Sequence, residues 1–480
     1  MSLSIPAPST SIPAHPALPP IDDILEFRIS LIDHIPRSCR DSCAAALSSL
    51  HNAILADPSF HNWHALFLFP KVILFSPLRG GRSSARSLPD VIKDRLQRWS
   101  RGEFLNLWSD ARGNQEKLDR KNRRRQAQAP VATPNARRAE KLARSGQYGR
   151  AVQALSSLGL AEDSDEVFRA LESKHPQAPP PTLPDGPAPD SIRLSEDLIK
   201  SAISSFNADT APGPSGFKAN FLKDLLATPN PNQRRSFLRS LTALINSMNE
   251  GNIPPSFRPF LFASTLHAAK KKCGGIRPVA IGETYARLTS KCLAFSLAKD
   301  VADLFAPHQL GIKVRGGCES VIHAASALFH SSSEPSSRLL LQVDLENAFN
   351  NIDRSLFLQE TRSHLPSLSS WAETSYGSPS HLFFRGRRLQ SSQGTRQGDP
   401  IAGILFGLGL HPTILRIQEQ NPNLQANMWI MDDGTICGTR AELCSVISIL
   451  EEEGPSRGLL LNKNKSLVWV GDLYPNDDDP

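Results

Sequence analysis

The spacing of apolar residues divides the chain before any motif is considered. From Ile21 onward they recur at helical intervals, as in AAALSSLHNAILADP, predicting a mainly helical region over 21–112. Trp63, Trp99 and Trp108 are expected to anchor its core. Residues 1–20 are rich in Ser and Pro and are expected to be disordered. The pattern lapses over 113–134, which contains the run Arg120 to Arg125 and reads as a basic linker: a solvated spacer, a phosphate-binding arm or a nuclear-targeting signal. Helical spacing returns in RRAEKLARSGQYGRAVQALSSLGLA, predicting a helical hairpin over 135–174 with Gly146 near its turn. No second copy follows, so a solenoid is not expected. HPQAPPPTLPDGPAPD, residues 175–190, reads as an extended linker.

From 191 to 480 strand and helix patterns alternate. Ser195 caps a helix, and LLLQV reads as a buried strand ending on Asp344, a usual place for a functional carboxylate. Lys270, Lys271 and Lys272 precede a Gly-Gly turn, and Arg277 opens the next apolar strand, which together predict a basic hairpin suited to phosphates. SSQGTRQGDPIAGILFG is a Gly-rich loop running into an apolar helix, where backbone can approach a ligand closely. NMWIMDDG takes an apolar strand straight into Asp432 and Asp433. Asp433-Gly434 is by itself a strong hairpin-turn signal, which makes Asp432 a solvated neighbour. The sharper reading puts both acids at the hairpin tip to hold a divalent metal.

Composition narrows the choice. The net charge of +7 favours a polyanionic partner. Seven scattered cysteines imply no disulfide framework and point to a reducing, intracellular compartment, nucleus or cytoplasm. Cys39 and Cys43 match no common zinc spacing and read as small helix residues. The longest apolar run, ALFLFPKVILF, is too short to span a bilayer, so no membrane is expected.

The ordered set of Asp344 at a strand end, RQGDP before a helix, a strand–Asp-Asp–strand hairpin and GLLLNKNKS resembles the palm of reverse transcriptases. GGIRPVAIGETYARLTSK, APGPSGF and HQLGIKVRGGCESVIHA resemble further pieces of non-LTR retrotransposon enzymes. The resemblance covers roughly residues 191–471 and implies an α+β fold. Right-hand fingers and palm, an antiparallel sheet with helices on one face, would follow a helical N-terminal region. It implies an RNA-directed DNA polymerase that joins dNTPs to the 3′-hydroxyl of a DNA primer on an RNA template. Two Mg²⁺ ions, with Mn²⁺ as the substitute, would be held by Asp344, Asp432, Asp433 and the Leu345 carbonyl. Arg277 and Lys272, with Lys270 and Lys271, would bind the triphosphate. Phe349 would exclude a 2′-hydroxyl, and Gln397 and Gly398 would line the nucleotide pocket. Lys465, with Lys463 as competitor, would protonate the leaving pyrophosphate. The resemblance leaves the oligomeric state open.

Two departures stand out. Ile430 replaces the tyrosine the family carries two residues before the acid pair, and no thumb pattern follows Val470. No endonuclease, RNase H or zinc-knuckle pattern is visible. A catalytically impaired nucleic-acid-binding remnant is therefore the alternative. An RNA-dependent RNA polymerase is disfavoured by Phe349 and RQGDP.

Overall fold

A computed structural model describes residues 16–78, 87–126, 134–144, 146–208, 210–271, 274–330 and 339–470. The disorder expected for residues 1–15 and the role expected of Lys272 fall outside them. The chain forms two compact units, 1–131 with 215–240, and 132–214 with 241–480.

The first unit is helical. Helix Phe60–Ile73 is buried continuously from Trp63 onward, as expected of a helix apolar on all faces. Lys71 lies inside it because its ammonium donates to the carbonyls of Ile24 and Phe27 (2.9 Å to the latter). Trp63 and Trp108 are buried, while Trp99 is half-buried between Phe69 and Phe104. Two expectations are corrected here. Residues 113–126 are not linker: helix Phe104–Gln126 runs through them, seated by buried Leu107, Ala111 and Gln115. Residues 215–240, expected to belong with the C-terminal part, join this unit. Buried Asp224 accepts from Arg40 (2.6 Å) and the Ile35 amide (2.8 Å), and Lys218 donates to the carbonyls of Leu31 and Ile32.

The second unit is α+β. Its strands are β1 (Ser264–Lys270), β2 (Ile276–Gly282), β3 (Leu339–Val343), β4 (Ser380–Phe384), β5 (Arg387–Ser391), β6 (Ala426–Ile430), β7 (Asp433–Gly438) and β8 (Leu467–Val470). One sheet has the order β2-β1-β4-β5, with β1 and β4 parallel; the other, β6-β7-β3-β8, is wholly antiparallel. Helices Gly317–His330 and Arg440–Glu452 pack against the second sheet. The expected helical hairpin is made by Pro134–Arg144 and Tyr148–Ser156 alone. Residues 159–161 then hydrogen-bond to β1, and helix Asp165–Ser173 packs on β2. The Pro-rich stretch 175–190 is extended but is a strap rather than a spacer. The amides of Ala178 and Thr182 donate to Ser392 and Ser355, and Arg362 donates to the carbonyls of Asp185 and Pro187.

Candidate active site

Sheet register assembles the acids. β3 and β7 pair from Leu339 opposite Gly438 to Val343 opposite Gly434, which leaves Asp344 and Asp433 as the adjoining residue on each chain segment. β6 and β7 pair from Ala426 opposite Cys437 to Ile430 opposite Asp433, which makes Met431 and Asp432 the two turn residues. The turn therefore lies two residues earlier than the Asp-Gly signal suggests. Met431 carries the left-handed conformation (φ 57°), and Gly434 is a strand residue. Gly434 is required for a different reason: a Cβ there would stand 2.9 Å from the Trp429 ring, which lies fully buried across it. The acids thus project from the tip itself and its first strand position.

Desolvation raises the pKa of Asp432, and the charges of Asp433 and Asp344 raise it further, with the Arg277 guanidinium acting the other way. Burial likewise raises that of Asp433, followed by repulsion from Asp344, against attraction from Lys465. Carboxylates that disfavour one another's ionisation, with Asp432 partly buried and Asp433 exposed, fit a divalent cation. Among the described residues, no three His, Cys, Asp or Glu side chains converge as a ready-made cage. Mg²⁺ keeps waters and completes its shell with substrate phosphates around one or two carboxylates. Next to Asp344, the Leu345–Leu461 bridge is closed by the Asp344 carbonyl and the Glu346 amide, leaving the Leu345 carbonyl out of its hydrogen bonds.

The other predicted residues divide into those brought to the acids and those held apart. Lys465 lies 3.5 Å from Asp344, whereas Lys463 pairs with Glu451 at 2.5 Å. Arg277 is exposed on β2, on the face alternating with buried Ile276, Pro278 and Ala280. Lys270 is exposed at the end of β1. Phe349 stacks on Phe406 of helix Ala402–Gln420 with centroids 4.4 Å apart, and its carbonyl accepts from the Thr395 amide. Gln397 and Gly398 follow on the same loop. A Cβ on Gly398 (φ 96°) would lie 2.4 Å from the Ala280 carbonyl, so only glycine lets this loop meet β2.

Sequence reasoning missed the groups that hold this loop. Arg354 is 1% exposed and donates to the carbonyls of Gly394 (2.9 Å) and Ser391 (3.1 Å) and to the Ser391 hydroxyl (2.9 Å). Burial, with Arg396 nearby, lowers its pKa to about 9, which leaves it charged at neutral pH. Asp399 of RQGDP is a structural acceptor: Tyr376 donates to it at 2.8 Å and Arg396 lies 3.5 Å away. A small open cleft beside it is lined by Glu283, Arg287, Arg396 and Gln397. An arginine directly after the capping Asp353, at the first position of its helix, carries no sequence mark of such burial.

Residues 268–472 match the family model described as "Reverse transcriptase (RNA-dependent DNA polymerase)". Over this stretch the chain is similar to reverse transcriptase domains. A curated relative, the retrotransposable element SLACS 132 kDa protein of Trypanosoma brucei gambiense, is 24% identical over 280 residues, covering 57% of this chain and 22% of that protein. The chain thus spans about a fifth of the length of the curated relative it matches. Among solved structures, apo telomerase from Candida tropicalis truncated from its C-terminal domain aligns at 10% identity with a TM-score of 0.35, over 58% of this chain and 73% of that one. No helix among the described residues is long and apolar enough to cross a membrane.

Proposed function

We propose that this chain is an RNA-directed DNA polymerase that extends a DNA primer on an RNA template by two-metal nucleotidyl transfer. The observation that carries the reading is the antiparallel pairing of β3 with β7, which ends at Val343 opposite Gly434, one residue short of Asp344 and of Asp433 beside Asp432, with the three acids close enough to act on one another's charge. Asp344, Asp432 and Asp433, with the Leu345 carbonyl, would hold Mg²⁺ or Mn²⁺. When bound, the ions would favour the ionised primer hydroxyl and offset charge on the leaving pyrophosphate.

The remaining roles fall to the chain's own groups. Arg277, on the exposed face of β2 and within electrostatic reach of Asp432, would orient the triphosphate of an incoming dNTP. Lys465 would hold its proton beside Asp344 and give it to the leaving pyrophosphate; its pairing distance favours it over Lys463. Phe349 would bar a 2′-hydroxyl, its ring fixed from behind by Phe406. Gln397 and Gly398 would line the nucleotide and template path.

A second reading is favoured by one observation. Ile430, opposite Asp433, offers neither ring nor hydroxyl where the family carries tyrosine. It makes the chain a nucleic-acid-binding protein with impaired chemistry. Primer extension on RNA with dNTPs and Mg²⁺ decides between them. Extension by this chain and not by Asp432→Ala supports the polymerase. No extension, with equal RNA binding by both, supports the second reading, and recovery with Ile430→Tyr then assigns the defect to that position.

A further inference from the structure

The segment His308–Gly311 lies outside the predicted site, yet it docks on the acid-bearing hairpin. The Trp429 amide donates to the His308 carbonyl (2.7 Å), and the Leu310 amide donates to the Trp429 carbonyl (2.8 Å), extending β6 by one bridge. Between these contacts Gln309 is 1% exposed. Its Oε1 accepts from the amides of Met431 (2.8 Å) and Gly311 (3.1 Å), and its Nε2 donates to the Met431 carbonyl (2.9 Å). Both backbone polar groups of the left-handed turn residue are therefore held by one side chain. Gly311 makes the approach geometrically allowed, since a Cβ there would lie 2.7 Å from the Met431 amide nitrogen. On the other side the Met431 side chain rests over Gly403, whose absent Cβ would be 3.2 Å from its Cε.

A left-handed methionine is unfavourable on its own, because Cβ crowds the backbone. Glycine would relieve that crowding but would also let the turn sample many conformations. Here the strained conformer is held by a two-point amide clamp, and the residue that follows it is Asp432. We propose that Gln309 is a positioning residue for the acid hairpin: its carboxamide holds Met431 in the left-handed turn and thereby sets where the Asp432 carboxylate points. The proposal rests on the polymerase reading for its consequence in catalysis, and on hydrogen bonds alone for the clamp.

The test compares wild type, Gln309→Met, which keeps bulk and loses all three hydrogen bonds, and Gln309→Met with Met431→Gly. Deuterium uptake of the peptide spanning residues 426–438 reads the clamp without any activity. The expected result is that Gln309→Met speeds exchange there by about tenfold or more, while peptides of β1 and β2 are unchanged. In primer extension kcat should fall by about tenfold with the dNTP KM within about twofold, and Met431→Gly should restore part of that loss because glycine accepts the turn unaided. A merely structural role for Gln309 gives no reason for glycine at another position to help. Unchanged exchange at the hairpin in Gln309→Met, or no recovery of kcat in the double variant, overturns the proposal. If Gln309→Met fails to fold, Gly311→Ala takes its place, pushing the segment off the turn with Gln309 intact. Faster hairpin exchange is again expected, and unchanged exchange again overturns the clamp. Inactive wild type would sink the polymerase reading and leave the exchange test standing. Normal activity with unchanged exchange would sink the clamp alone.

Discussion

Asp432 shows how a single residue can trade stability for chemistry. Desolvation and its acidic neighbours raise its pKa, so the folded state binds its proton more readily than the unfolded chain does. The sign follows from linkage: a raised carboxyl pKa costs stability above that pKa and costs nothing where both states are protonated. Asp432→Asn is therefore expected to melt at a higher temperature than wild type at pH 7 without divalent ions, the difference fading toward about pH 4, near the ordinary Asp value. Mg²⁺ should stabilise wild type more than the variant. Thermal melts at several pH values, with and without Mg²⁺, check this; equal melting at pH 7 without metal would contradict the repulsion argument. The hairpin with its two acids was legible in sequence as an apolar strand running into Asp432 and Asp433, but that pattern alone fitted a plain turn as well as a metal-holding tip. The turn was placed wrongly because Asp-Gly is a strong local signal. The Trp429 ring that occupies the space over Gly434 arrives from another strand and overrides it.

At the scale of elements, the loop 391–399 and helix Ala402–Gln420 were readable from glycine, proline and apolar spacing. What sets the loop's shape was not. Arg354 reaches it from helix Arg354–His364 and satisfies carbonyls that burial would otherwise leave unpaired. Removing a buried donor costs about 1–3 kcal/mol for each acceptor left unsatisfied. Arg354→Met is thus expected to lose roughly 3 kcal/mol or more in urea unfolding. Arg354→Lys should recover only a fraction, since an ammonium cannot fan across acceptors as a guanidinium does. A full recovery by lysine would show that charge rather than geometry matters there. The strap 175–190 makes the same point. Its prolines predicted an extended path, but the hydrogen bonds to Ser355, Arg362 and Ser392 depend on groups some 170 or more residues distant in sequence.

For the whole molecule, the chain's division did not follow the order of its composition shifts. Residues 215–240 sit within the span that resembles the polymerase, yet they complete the helical unit through Asp224. Asp224→Ala leaves the Ile35 amide without its acceptor and Arg40 without its carboxylate partner, and is expected to lower the helical unit's stability by about 2–4 kcal/mol. Calorimetry should then show two transitions, with only one moved by the substitution. A uniform shift of a single transition would show that the two units unfold as one.

The sequence by itself determined the chemistry on offer: which segments are helix or strand, where acids end apolar strands, and which family the motif order resembles. Those features follow from periodicity and residue type, which are local. Only tertiary structure decided which residues face one another. Register brought the ends of β3 and β7, and with them Asp344 and Asp433, together; distance separated Lys465 from Lys463, and close approach required Gly311 and Gly398. Burial turned Gln309 and Arg354 into organising groups. Hydrogen bonds and steric contacts across long sequence separations exist only after the chain has folded, so residue type and spacing alone do not reveal them.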